Sequence, residues 1–375
     1  MGTWRRFLPH ACLALSLVAL GRLEPTLFQA LLQTLADVYF SVVVFVAFTL
    51  ALFYGIERRW SGALSNALKK GSALEVPIAA LLGAFPGCGG AIIVVTQYVS
   101  GGVSFGALVA VLIATMGDAA FLLLARDPAV AALVFGVSFC SGVVVGFLAT
   151  LIHRKPRPVQ RMKSSRDQER ESEELSTVFQ QVFFVLLVPG VPIGLASAFQ
   201  LDVPAGLAQW LHFDPVLAIG SVGTLLCVAI WLSQPLDSWA ARIRRCAGSS
   251  ATRELVVAET SFVTVWVAVG FLSFETLMYF TPVDLAGLFA GLGAGGVLMA
   301  TLIGFIPGCG PQILVTTLYL NGVVPFSALL ANAISNDGDA LFPALALAPR
   351  AAILATLCSA APALLIGYLV YFWKG

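Results

Sequence analysis

The sequence predicts an all-α integral membrane protein of about 9–11 transmembrane segments, because a bilayer crossing takes about 20 mostly apolar residues and such stretches recur from one end of the chain to the other. Hydrophobic residues make up 59% of the 375 and charged residues 11%, and mean hydropathy is +0.92. That leaves too little polar surface to coat a water-soluble globule of this size. Two further observations shape the prediction. Pro-Gly-Cys-Gly interrupts two of the apolar stretches, and the sequence around the first interruption returns around the second in register. Together they point to an inverted-topology internal repeat with two broken or re-entrant helices.

Taken in order, Arg5 and Arg6 precede the apolar residues 7–20. Gly21 to Pro25 offers no small-residue cleavage site, so this stretch reads as a retained first helix rather than a signal peptide. A second span covers about residues 35–55 and leads into a basic loop with Arg58, Arg59, Lys69 and Lys70. Residues 73–99 contain Pro86, Gly87, Cys88 and Gly89, which stop a regular helix because proline removes a donor and glycine favours unwinding. Spans at 103–124 and 129–152 follow, then the strongly charged segment 154–174, a solvated loop. Residues 178–199 and 214–232 are apolar again and lead to a second basic loop with Arg242, Arg244, Arg245 and Arg253. The chain closes with spans at 255–280, 285–320 (broken at Pro307, Gly308, Cys309 and Gly310), 324–347 and 351–373. This organisation divides it into a first membrane repeat (1–152), a charged cytoplasmic loop (153–177), a linking transmembrane helix (178–212) and a second membrane repeat (213–375).

Shifting the sequence by 221 positions lays residues 86–121 over 307–342 without a gap, and 19 of the 36 pairs are identical, against about one in ten expected from composition alone. Cys88 matches Cys309, Thr96 matches Thr317, Tyr98 matches Tyr319, and Gly117-Asp118 matches Gly338-Asp339. If each broken segment returns to the side it entered from, the N-terminus and all the basic loops fall on the cytoplasmic side, as the Lys/Arg bias of inner loops requires. The same count of crossings turns the second copy upside down relative to the first.

Unwound backbone inside a membrane is tolerated only where it lines a cavity or is buried in protein, so the two breaks are candidate ligand sites. Cys88 and Cys309 offer soft thiols and the backbone carbonyls suit harder cations; the alternative is that Cys is merely a small residue between glycines. Asp118 and Asp339 lie inside apolar stretches, where an unpaired carboxylate costs on the order of 3 kcal/mol, and such residues are functional by default. In one continuous helix Asn332, Asn336 and Asp339 share a face at i, i+4 and i+7, and Asp337 adds another carboxylate, giving an oxygen-rich stripe. The matching face of the first copy carries only Thr115 and Asp118, so the site is expected to be asymmetric. Asp37 and Glu259, near the starts of the helices that precede the breaks, suit either a proton relay or a solvated helix end. Thr96, Thr317, Tyr98, Tyr319 and Gln312 follow the breaks and offer further oxygens.

The function classes narrow accordingly. A net charge of +1 with charges confined to loops points away from nucleic acid. The seven Cys show neither CxxC nor Cys/His zinc spacing, so no disulfide framework and no resident cofactor is expected. No GxxxxGK[ST] motif is present, which leaves ion or substrate gradients as the energy source, and the repeats single out no nucleophile constellation, so no enzyme is expected.

The paired PGCG breaks, the following GD motifs and the charged central loop resemble the bacterial manganese transporter family, also described as multi-spanning heavy-metal exporters and distantly grouped with arsenical permeases. The resemblance covers roughly residue 35 to the C-terminus. It implies export of a metal or metalloid ion across the cytoplasmic (inner) membrane by a multi-pass protein, alone or as a homo-oligomer in the lipid bilayer. Cys88, Asp118, Cys309, Asn336, Asp337 and Asp339 stand at the shared motif positions. The residues leave two substrates open: oxygen donors favour Mn²⁺, the expectation carried forward with proton coupling, while two thiols favour arsenite or a soft metal. A different class, an intramembrane enzyme or assembly factor without transport, is the remaining alternative.

Overall fold

The computed structural model of the chain describes residues 25–59, 68, 71–152, 177–199, 214–233, 252–280, 287, 289 and 292–374. The expected first helix at 7–20, the loop at 154–174 and most of both basic loops lie outside the described residues. In chain order the elements are α1 (Pro25–Val38), a π-helix (Tyr39–Val43), α2 (Val44–Arg59), α3 (Glu75–Ala84), α4 (Gly89–Ser100), α5 (Phe105–Ala114) and α6 (Ala119–Arg126). There follow α7 (Pro128–Ile152), α8 (Thr177–Ala198), α9 (Pro215–Leu232), α10 (Thr252–Phe280), α11 (Gly295–Gly304) and α12 (Cys309–Leu320). The chain ends with α13 (Phe326–Ser335), a 3-10 turn (Gly338–Ala340), α14 (Leu341–Leu347) and α15 (Pro349–Lys374). No strand occurs among the described residues, and the protein is an all-α membrane protein.

Among the described residues, six helices are long and apolar enough to cross a membrane, and α5 with α6 forms a further pair bent by 41°. The apolar helices α3, α4, α11 and α12 are shorter, each 10 or 12 residues long. At 1.5 Å per residue such a helix reaches about 15–18 Å, half the roughly 30 Å of hydrocarbon. The first pair doubles back on itself. A Cβ on Gly90 of α4 would lie 3.3 Å from the Cα of Leu82 in α3, whereas a straight helix separates residues eight apart by about 12 Å. α11 and α12 likewise pack on one another. The broken segments are therefore short-helix hairpins. On the long helices, Leu133, Val144, Leu148 and Leu151 of α7 and Leu357, Leu365 and Leu369 of α15 point outward, as lipid contact requires.

The chain divides into two compact units. The first (1–47, 163–197 and 201–283) holds α1, the π-helix, α8, α9 and α10. The Val44 N–H reaches back five residues to the Tyr39 carbonyl, the signature of the wide turn. The Tyr39 ring sits against Gly190 of α8 and Gly223 of α9, where a Cβ would come within 2.9 Å of it. Small residues of this kind let membrane helices approach closely. Asp37 and Glu259 both belong to this unit; Asp37 is exposed and Glu259 is buried in α10.

The second unit (48–162, 198–200 and 284–375) contains both hairpins and repeats itself in packing as well as in sequence. A Cβ on Gly146 of α7 would meet Val76 at 2.7 Å and Ala110 at 2.8 Å; one on Gly367 of α15 would meet Val297 at 2.7 Å and Ala331 at 2.8 Å. All these residues correspond under the 221-residue shift. Contacts between the copies are reciprocal: α12 packs on α6 as α4 packs on α14, and α15 on α5 as α13 on α7. Reciprocity of this kind is the mark of a two-fold relation.

Candidate metal centre

Both stretches that carry the GD motif are broken at the motif rather than continuous. α5 ends at Ala114 and α13 at Ser335, each followed by a residue with extended backbone, Thr115 and Asn336. Gly117 (φ +50°) and Gly338 (φ +60°) then take the left-handed conformation that glycine adopts without strain. In the second copy Asn336 Oδ1 accepts the Gly338 N–H at 2.8 Å, a side-chain turn that competes with the helix. The expected single face of Asn332, Asn336 and Asp339 therefore does not form, because the helix stops between them.

These breaks bring four loops together inside the second unit: the two hairpin tips and the two GD turns. Cys88 caps the start of α4 and Cys309 begins α12, and their sulfurs are 3.2 Å apart. Both thiols donate to Asp339 Oδ2, at 3.4 Å from Cys88 and 3.1 Å from Cys309, while the Cys309 N–H donates to Asp339 Oδ1 at 3.0 Å. All three residues are buried, and their ligand atoms lie within 4.8 Å of one another. Two sulfurs and a carboxylate at that spacing suit a thiophilic ion. Asp118 is close enough for its charge and that of Asp339 to act on one another, and neither of its carboxylate oxygens has a hydrogen-bond partner.

The remaining sequence candidates take other places. Asn332 donates to the Ala300 carbonyl at 2.9 Å, and its own oxygen has no partner. Asn336 donates to the carbonyls of Gly304 and Gly308, each at 3.3 Å, and so ties the second hairpin tip to α13. Asp337 accepts the Thr356 hydroxyl of α15, leaving its second oxygen unpartnered. The first tip is held differently, by the Gly87 N–H on the Gly117 carbonyl at 3.1 Å. Gly87 (φ +93°) and Gly308 (φ +118°) shape the two tips, and Pro86 and Pro307 precede them. Gly89 packs against Thr49, whereas a Cβ on Gly310 would meet open space. Thr356, like Ala300, Gly304 and Thr49, was not singled out by the sequence; Thr356 falls outside both motifs, and no spacing pointed to it.

Fold and site together define a multi-pass helical membrane protein with a cluster of Cys88, Cys309 and Asp339 that could hold a metal ion where its broken segments converge. The chain belongs to the family described as "Putative, 10TM heavy-metal exporter", whose pattern matches residues 26–374. Among the described residues, six helices are long enough and apolar enough to cross a membrane, the bent α5–α6 pair makes a seventh candidate, and α3, α4, α11 and α12 are shorter apolar helices. Comparison with curated proteins and with solved structures returned no match. Membership supports metal export in general.

Proposed function

We propose that the chain is a gradient-driven exporter of a thiophilic metal or metalloid ion, with Cys88, Cys309 and Asp339 as the binding site. The observation that carries this is the convergence of both repeated thiols on one carboxylate. The oxygen excess that favoured Mn²⁺ in the sequence is spent elsewhere: Asn336 holds the hairpin tip and Asp337 takes Thr356. A set of two sulfurs and one oxygen ranks soft and borderline ions such as Cd²⁺, Zn²⁺ and As(III) above a hard one.

Eight crossings and two re-entrant hairpins make α7 and α15 run in opposite directions, which supports an inverted repeat with its site near the midplane. With the basic loops inside, the first hairpin opens to the cytoplasm and the second to the outer face. An ion bound between their tips is then offered alternately to each side. Because the ligand groups must lose protons to bind metal, export of the ion exchanges it for protons at the cluster.

Mn²⁺ keeps as support the unpartnered oxygens of Asp118, Asn332 and Asp337. Flux of Cd²⁺, Zn²⁺, arsenite and Mn²⁺ in proteoliposomes, for wild type and Cys88→Ser/Cys309→Ser, separates the readings. Soft-ion flux that vanishes with the thiols supports the proposal. Mn²⁺ flux that survives their loss assigns the oxygens instead, and no flux of any ion sinks the transport reading.

A further inference from the structure

Along α12, Cys309, Gln312 and Thr316 follow one another at i, i+3 and i+7, on one face. Gln312 and Thr316 are fully buried, yet neither amide atom of Gln312 nor the Thr316 hydroxyl has a hydrogen-bond partner. Thr96, Thr301 and Thr317 each turn back to the carbonyl four residues earlier, the ordinary solution for a hydroxyl in an apolar helix. Thr316 does not. α12 packs on α6, and the cap of α6 is Asp118, whose two carboxylate oxygens are also shielded and unpartnered. A buried carboxylate, carboxamide and hydroxyl are seldom left so without an ion or water to take them up.

The other copy has nothing of the kind. Under the 221-residue shift, Gln312 and Thr316 correspond to Ala91 and Val95 of α4, and Asp118 to Asp339, which the thiols and the Cys309 N–H already engage. Of two faces related by the repeat, one is polar and the other apolar.

We propose that Asp118, Gln312 and Thr316 form a second, oxygen-donor station for the transported cation, on the α6–α12 side of the thiol cluster. The proposal rests on the exporter reading and adds its route of release. The second hairpin opens outward in that reading, so α12 leads from Cys309 toward the outer face, and Thr316 stands about 10 Å along it. An ion held by two thiolates leaves slowly unless weaker ligands replace them stepwise, and oxygen donors with water supply that step. The apolar α4 face gives the ion no such route back to the cytoplasm.

The test uses the full chain in proteoliposomes with Cd²⁺ as probe. The variant Gln312→Leu/Thr316→Val removes the polar atoms at nearly constant shape and is compared with Cys88→Ser/Cys309→Ser. Binding at the thiols is read from sulfur-to-cadmium charge-transfer absorbance, transport from Cd²⁺ flux, and packing from the thermal midpoint. The expected result for Gln312→Leu/Thr316→Val is charge-transfer titration unchanged within about twofold, thermal midpoint unchanged or raised, and flux lowered at least about tenfold. Flux at the wild-type rate overturns the station. So does a loss of flux that comes with a weakened charge-transfer titration or a lowered thermal midpoint, since either makes the pair part of the thiol site or of the packing. A wild type with neither absorbance change nor flux is a separate outcome, which removes the exporter reading and the station with it.

Discussion

The sulfurs of Cys88 and Cys309 are 3.2 Å apart although 221 residues separate them in the chain. They meet because the tips of two short-helix hairpins converge and are pinned together by the GD turns of both copies. A mild thiol oxidant such as diamide is expected to join them and to stop Cd²⁺ flux, with dithiothreitol restoring it. Mass spectrometry of the digested protein reads the linked peptides directly. Loss of flux without any linked Cys88–Cys309 peptide would place the oxidant's effect elsewhere.

Gly117 and Gly338 correspond in the repeat and both have positive φ, yet they predict different outcomes. A Cβ on Gly117 would run into Cys309 Sγ and stand 3.2 Å from Cys88 Sγ, whereas one on Gly338 would meet Thr115 at 3.5 Å and Cys88 at 3.6 Å, ordinary contact distances. Each alanine carries the same left-handed penalty of about 1 kcal/mol. Gly117→Ala is expected to weaken Cd²⁺ binding at least about tenfold and Gly338→Ala only a few-fold, since only the first displaces the ligand sulfurs. Equal effects in a charge-transfer titration would remove this steric account.

Much of this site was legible in the sequence, and the illegible part has a physical reason. The 221-residue repeat singled out Cys88, Cys309 and Asp339, because a duplicated motif marks the same place twice. The oxygen stripe of Asn332, Asn336 and Asp339 came from assuming a continuous helix, and its period fails once Gly338 turns left-handed after Ser335. The broken helices were signalled at Pro86 and Pro307 but not at Gly117 and Gly338, where no proline interrupts the apolar run and a single glycine is compatible with helix.

Asn336 and Asp337 are neighbours with separable roles. Asn336 makes three buried hydrogen bonds, to Gly304, Gly308 and Gly338, and Asn336→Leu removes all three. At about 1 kcal/mol or more per bond, a loss of about 3 kcal/mol is expected, seen as a lowered thermal midpoint together with weaker Cd²⁺ binding. Asp337→Asn keeps an acceptor for Thr356 and is expected to spare Cd²⁺ binding within about twofold. A large loss of binding in Asp337→Asn would return Asp337 to the ligand set.

Both thiols are placed to donate to Asp339, and a thiol must lose its proton to hold a cation as thiolate. A cation must displace those protons to be held as a thiolate complex, and the sign of the pH effect follows: affinity falls as pH falls, because protons compete with metal for the same atoms. For each proton displaced, the apparent Cd²⁺ affinity is expected to change by about tenfold per pH unit. In weakly buffered medium, Cd²⁺ addition should release protons stoichiometrically from wild type and far fewer from Cys88→Ser/Cys309→Ser. The proton count also tests the mode of coupling, since an ion that displaces protons on the inner side and is replaced by them on the outer side exchanges one for the other. An affinity that is flat between about pH 6 and pH 8, with no proton release, would mean that the cluster binds neutral thiols or no metal, and proton exchange could not run through it.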